Sequence, residues 1–203
     1  MEINAKIVNE LRQKTGAGMM DCKKALLETK GDLDKAVDYL RVKGLSAAAK
    51  KTGRETKEGR VGHYIHSNGK LGVLVEVNCE TDFVAKTDQF LTFVKDVAMH
   101  IAASNPVCVR EEDMPADFLE KERQIVLAQM KEDPKLHGKP QEMLEKIVDG
   151  KLKKVYQEQV LLNQKFVKNP EITVADYLKA TISGLGENMA IRRFARMNLG
   201  EGA

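Results

Sequence analysis

The 203-residue chain has little cysteine: three residues, at positions 22, 79 and 108, with no CxxC spacing. An odd and sparse set excludes a disulfide scaffold and a cysteine-rich zinc module. There is no apolar run near the ~18 residues that a membrane helix needs. The start, MEINAKIVNEL, has acids where a signal peptide would carry an apolar stretch, so no leader is expected. An excess of one charge is missing too. The 33 Lys and Arg stand against 30 Asp and Glu, too even for a protein that holds nucleic acid by charge alone. The chain also lacks GxSxG, a Walker glycine loop, HExxH and GxGxxG, and no nucleophile–base pair is legible. The expectation is a reduced, cytoplasmic protein that is not an enzyme, crosses no membrane, and carries no cofactor or metal ion of its own.

What is present is organised by changes of period. Apolar residues make up 42% of the chain and charged residues 31%, enough for a packed core under a solvated surface. At roughly 100–200 residues per domain the length allows one large domain or two small ones. Residues 1–44 read as three short helices. Ile7, Val8 and Leu11 form the first stripe, which stops at Thr15-Gly16-Ala17-Gly18. Cys22, Ala25 and Leu26 form the second, ended by Gly31. Asp32 is a natural N-cap for the third, with Leu33, Ala36, Val37 and Leu40, and Gly44 closes it. A bundle this small is marginal alone and suits binding through an exposed face.

Residues 45–60 read as a basic linker. From 41 to 60 there are seven bases against Glu55 and Glu58, three glycines and no aromatic residue on which a base could stack. A solvated connector is the simplest reading. Residues 61–110 form a hairpin–helix core. Val61, His63 and Ile65 alternate with Gly62, Tyr64 and His66; Leu71, Val73, Val75, Val77 and Cys79 alternate again. Asn68-Gly69 between them predicts a type I′ turn, with positive φ at both central residues. A helix from about Thr87 to Ser104 buries Phe90, Val94, Val97 and Ile101, and Pro106 ends it. Residues 111–170 read as a helical hairpin. Pro115 and Pro140 stand at the first turns, and Asp133-Pro134 opens a polar joint that runs to Pro140. Residues 171–203 supply a short helix from a Thr173-x-x-Asp176 capping box through Leu178, then a last strand. In that strand Ile191, Arg193, Ala195, Met197 and Leu199 share one face, with Arg192, Phe194 and Arg196 on the other. The fold class is α+β.

Candidate functional residues are few. His63 and His66 are three apart, which in a strand puts them on opposite faces and makes them poor ligands of one ion. Each cysteine lies in an apolar pattern and reads as an inert buried thiol. Met19 and Met20 cannot both point inward, so one is offered to a partner. The segment Thr81-Asp82-Phe83-Val84-Ala85-Lys86 places an aromatic ring and an acid between a strand end and a helix start. As plain scaffolding, Thr81 or Asp82 caps the helix and Phe83 tucks beneath it. As a site, Phe83 is an apolar wedge and Asp82 a carboxylate presented to a partner.

Two long contiguous stretches carry a resemblance. Leu11-Arg12-x-x-Thr15-Gly16-Ala17-Gly18-Met19-Met20-Asp21-Cys22-Lys23-Lys24-Ala25-Leu26 resembles the N-terminal signature of bacterial elongation factor Ts, and Glu76-Val77-Asn78-Cys79-Glu80-Thr81-Asp82-Phe83-Val84-Ala85 resembles its second signature. The surroundings of Gly138-Lys139-Pro140 are similar to the family's coiled-coil arm, and Arg192 to Gly202 to its last core strand. The resemblance implies a bundle like a ubiquitin-associated domain, a projecting arm, and nucleotide exchange on elongation factor Tu. It implies that Asp82 and Phe83, with Thr81 and Val84, disturb the magnesium and phosphate site of that GTPase. Arg12, Met19, Met20, Lys23 and His66 follow as further partner contacts. The longer family form duplicates the core, whereas here there is one hairpin–helix unit. Either one unit suffices or a homodimer supplies the rest. Two other classes remain open at this point: an adaptor that moves no nucleotide, and an RNA-associated protein using residues 41–60, whose salt-dependent binding would fall when Lys50, Lys51 and Arg54 are neutralised.

Overall fold

The computed structural model describes residues 3–136 and 139–201, without the side chains of residues 45, 47 and 135. Gly138 and Gly202, which the resemblance included, and His137 in the polar joint lie outside the described residues. The chain divides into two compact units, Met1–Met99 with Ala175–Ala203, and His100–Val174. The class is α+β, helices around a small antiparallel sheet.

The first unit opens with helices α1 (Ala5–Thr15), α2 (Met19–Glu28) and α3 (Leu33–Ala49). Asn4 and Asp32 cap α1 and α3 by accepting from the backbone N–H of Lys6 and Lys35. Gly16 ends α1 in the left-handed region, φ 67°, and its N–H reaches the Arg12 carbonyl. Val8, Leu11, Cys22, Ala25, Leu26, Ala36 and Leu40 bury against one another as the bundle core. Each buried Val or Leu is worth about 1.5–3 kcal/mol.

Helix α3 does not stop at Gly44. It runs to Ala49, so the first residues of the expected linker are helical. The glycine serves packing there: a Cβ on it would stand 3.3 Å from Ser183 Oγ. The Ser46-to-Ala49 stretch that follows has high helix propensity. Irregular chain remains only between Lys50 and the next strand.

The sheet has the order β1-β2-β5, from β1 (Glu58–Ile65), β2 (Leu71–Cys79) and β5 (Met189–Asn198), all antiparallel. The turn between β1 and β2 is not type I′. Leu71 accepts from the His66 N–H, leaving four loop residues, and the Gly69 N–H returns to the His66 carbonyl. Gly69 alone takes positive φ, 67°; the Asn68 side chain instead accepts from the Lys70 N–H. A four-residue loop needs one left-handed residue where the two-residue turn needs two. Val73, Val75, Val77 and Cys79 face inward as their alternation requires. Helix α4 (Asp88–Ser104) covers them, and Val94 fits into the space that Gly62 leaves by lacking a side chain.

Strand β5 departs from simple alternation. Val77 pairs with Ile191, but Glu76 pairs with Arg193, so Arg192 is a bulge. The extra residue inverts the phase. Ile191 is buried while Arg193, Ala195 and Met197 face solvent; Phe194 and Arg196 turn to the half-buried face. Arg196 is therefore not one of the exposed arginines. It is largely covered and pairs with Glu201 at 2.8 Å. Helix α7 (Val174–Leu185) runs well past Leu178, because Thr181 and Ile182 continue its buried stripe, and Gly186 at φ 82° ends it.

The second unit contains α5 (Ala116–Glu132) and α6 (Gln141–Gln159), which pack through Val126, Met130 and Val148 with Leu136, Leu144, Ile147 and Leu152. Pro115 and Pro140 occupy the N-cap positions, one residue ahead of the helices. Cys108 forms an isolated parallel bridge with Val160. A two-stranded hairpin, β3 (Lys165–Phe166) and β4 (Asn169–Thr173), follows, where helix and connector were expected. Buried beside it, the His100 Nδ1 accepts from the Val167 N–H at 3.2 Å. Its Nε2 therefore carries the proton and donates to Gln164 Oε1 at 2.9 Å. Among the described residues no helix is long and apolar enough to cross a membrane.

Candidate functional site

Strand β2 ends at Cys79, and α4 begins at Asp88. Between them the chain makes one turn, Thr81 to Thr87, tightened by a short 3-10 helix over Val84–Lys86. Val84 and Ala85 are buried and anchor the turn from below. Phe83, between the exposed and buried halves, is 79% exposed. The scaffolding reading is overturned for the ring, which is not tucked under the helix, and holds for Thr81, whose hydroxyl oxygen accepts from the Val84 N–H at 3.4 Å. Phe90 and Phe93, on α4 itself, are the fully buried rings of this region.

An exposed phenylalanine on a loose loop would collapse onto the nearest apolar surface. Here the loop is tied at every polar atom of Thr81. Its N–H donates to Glu187 Oε2 at 3.0 Å and its hydroxyl to Glu187 Oε1 at 2.7 Å. Its carbonyl accepts from Cys79 Sγ at 3.1 Å and from the Ala85 N–H. Burial, and then the neighbouring Glu187 carboxylate, push the Cys79 thiol up to about 11, so it stays a donor at neutral pH. Glu80 reaches the other way, accepting from the Asn188 N–H at 2.6 Å. Arg54 stands 3.5 Å from the same Glu80 oxygen, and its carbonyl accepts from Asn188 Nδ2. From β1, Arg60 Nε donates to the Ala85 carbonyl at 3.0 Å.

Asp82 is half-buried and paired with Lys86 at 2.6 Å. That hydrogen bond holds its carboxyl below the usual carboxylate range. It is an anion at neutral pH, and a partner's cation would compete with Lys86 for it.

The sequence-level candidates fall into three places. Thr81, Asp82, Phe83 and Val84 make the turn just described. Arg12, Met19, Met20 and Lys23 lie on the bundle, around the Thr15-to-Gly18 turn between α1 and α2. Met20 is 76% exposed and Met19 half so, the adaptable apolar surface a protein contact favours. Gln89, at the start of α4, lies tight against Gly184 and within van der Waals reach of a Cβ on Gly16, so the bundle turn neighbours the helix that leaves the Phe83 segment. His66 is not part of this grouping. It sits at the hairpin turn, bonded to the Tyr64 hydroxyl at 3.0 Å, at the opposite end of the nine-residue β2. At ~3.4 Å per residue that is roughly 27 Å of strand. Glu80, Glu187, Asn188 and Arg60 were missed as supports. Their only trace in the sequence is Gly186-Glu187-Asn188, polar residues between a helix and a strand. Among the described residues no group of three His, Cys, Asp or Glu is placed to hold a metal ion.

The model of the family described as "Elongation factor TS" matches residues 46–201. The chain belongs to the elongation factor Ts family. Elongation factor Ts of Geobacter sulfurreducens is 60% identical over 202 residues, covering 100% of this chain and 92% of the relative. That of Desulfosudis oleivorans is 59% identical, covering 98% of each. That of a Thermoanaerobacter species is 57% identical, covering 98% of this chain and 96% of its own. The family match spans the sheet, the Phe83 turn, α5 and α6, and the relatives extend it over the bundle.

Proposed function

We propose that the chain is a guanine-nucleotide exchange factor in translation elongation that binds elongation factor Tu in its GDP form and releases the nucleotide. Membership of the elongation factor Ts family supports this reading. The single observation that carries the mechanism is Phe83, 79% exposed at the tip of a turn whose backbone is held on both sides. Phe83 enters the GTPase beside its magnesium ion, and Asp82 accompanies it. Thr81 and Val84 hold the turn. The three-helix bundle, of the ubiquitin-associated kind, grips the nucleotide domain through Met19 and Met20 with Arg12 and Lys23. His66 makes a separate contact at the far end of the sheet.

The energetics are those of linkage. Nucleotide phosphates are held partly by a magnesium ion that bridges their oxygens, and that ion belongs to the GTPase. Whatever the factor takes from GDP affinity, GDP takes from the factor's affinity. A coupling of about 3–5 kcal/mol speeds release by about 10²–10⁴ when it falls on the off-rate. Excess GTP refills the empty site and displaces the factor, so no preference for GTP is needed.

A homodimer belongs to the same proposal. The outer face of the sheet carries Val61, Ile65, Leu74 and Met197, each more than half exposed. Ile65 and Met197 flank Gly72 across the strands. A second copy would cover this face.

The test is release of fluorescent GDP from purified elongation factor Tu against excess unlabelled GDP. A rate that rises with factor concentration and saturates is expected. A factor that binds without changing the rate would make the protein an adaptor instead.

A further inference from the structure

The Phe83 turn and the Gly186-to-Asn188 turn before β5 hold each other reciprocally. A carboxylate from each accepts a backbone N–H from the other: Glu187 from Thr81, and Glu80 from Asn188, at 3.0 and 2.6 Å. The two turns are more than a hundred residues apart in sequence and meet only because β2 pairs with β5. We infer that Glu187 is a positioning residue for exchange, fixing the pose of Phe83 through Thr81 without touching the partner itself.

This rests on the reading of Phe83 as the exchange wedge and adds a residue to it. The reasoning is one of pre-organisation. Phe83 has little to hold it by contact, since most of its ring is in solvent. Its direction is set by the backbone of Thr81 and Asp82. Thr81 in turn has both of its donors on one carboxylate, in a fork that fixes its orientation as well as its position. Without that carboxylate, two donors at a half-buried position lose their acceptor, and the start of the turn gains freedom. A turn that samples several poses presents the wedge in a fraction of encounters. The bundle contacts are separate, so binding survives while the bound complex exchanges slowly.

The prediction is therefore a split. In Glu187→Ala the maximal rate of GDP release at saturating factor falls about tenfold, while the half-saturating concentration stays within about twofold. Glu187→Gln keeps one oxygen for the Thr81 N–H, and its amide can donate to the hydroxyl, so it restores most of the rate. Thr81→Val, which removes only the hydroxyl, lies between wild type and Glu187→Ala. In wild type the Thr81 amide is protected from hydrogen exchange; in Glu187→Ala it exchanges freely while amides of β2 stay protected. In a Phe83→Ala background Glu187→Ala costs little more, since the two act through one ring.

Three results would overturn the inference: full exchange by folded Glu187→Ala, a deficit confined to half-saturation, or an undiminished further loss in the Phe83→Ala background. If Glu187→Ala does not fold, Thr81→Val is read in its place against the same split, with Glu187→Gln expected near wild type. Failure of the underlying reading looks different, because Phe83→Ala alone would then exchange like wild type.

Discussion

Phe83→Ala separates a ring that serves the fold from one that serves a partner. With 79% of Phe83 in solvent, truncation removes almost no buried contact in the free protein. Its unfolding free energy should stay within about 0.5 kcal/mol of wild type. In the complex the account differs. A phenylalanine offers roughly 150–250 Å², so about 160 Å² is available for burial. At about 25 cal/mol per Å² that is near 4 kcal/mol, of which alanine keeps about a quarter. The loss of about 3 kcal/mol corresponds to roughly a hundredfold in exchange rate. Phe83→Leu keeps an apolar wedge of smaller reach and should lose about tenfold. Stopped-flow release of fluorescent GDP reads the rate, and thermal unfolding reads the fold. Exchange within about twofold of wild type by Phe83→Ala would refute the wedge. A large drop in melting temperature would refute the placement of the ring in solvent.

Further outcomes follow from the same structure. Burial holds the His100 imidazole below its ordinary value, so the unfolded chain takes up a proton that the folded chain refuses. Stability is then complete above the free imidazole's 6.5 and falls as pH drops below it; in His100→Gln the melting temperature should depend less on pH between about 7 and 5. Gly62→Ala would drive a methyl into Val94 and should destabilise by about 1–3 kcal/mol, with Val94→Ala in the same chain recovering part of it in chemical denaturation. Leu74→Lys with Met197→Lys places charges on the outer sheet face; sedimentation should show a dimer replaced by a monomer with an unchanged melting temperature. A wild type that sediments as a monomer at high concentration would remove the dimer from the proposal.

The elements that were legible in the sequence are those made by local rules. The three bundle helices, the β1–β2 alternation and the stripe of α4 each follow from the spacing of apolar residues within one segment. Gly16 and Asp32 mark helix ends because backbone conformation and capping are matters of adjacent residues. Several departures come from contacts that the segment itself does not contain. Gly44 looked like a stop, but Ser183 makes it a close-packing position inside a helix. Asn68-Gly69 looked like a two-residue turn, but the strand register sets a four-residue loop. His100 lies in an apolar stripe, and its two nitrogens are taken by Gln164 and Val167, more than sixty residues away.

The sequence by itself determined the class of fold, the two signature segments and the family, since those are carried by contiguous residues whose order is their information. Tertiary structure decided what those residues can do. The residues alone favoured Phe83 as a ring tucked under the helix; in the fold Val84 and Ala85 are the buried anchors of the turn and the Phe83 ring stands in solvent. The sequence left β5 readable as one unbroken alternation; the bulge at Arg192 turned Ile191 inward and Met197 outward in the same strand. Nothing local connects Thr81 with Glu187. Only strand pairing, which brings together residues a hundred positions apart, supplies the carboxylates that hold an exposed aromatic ring in place.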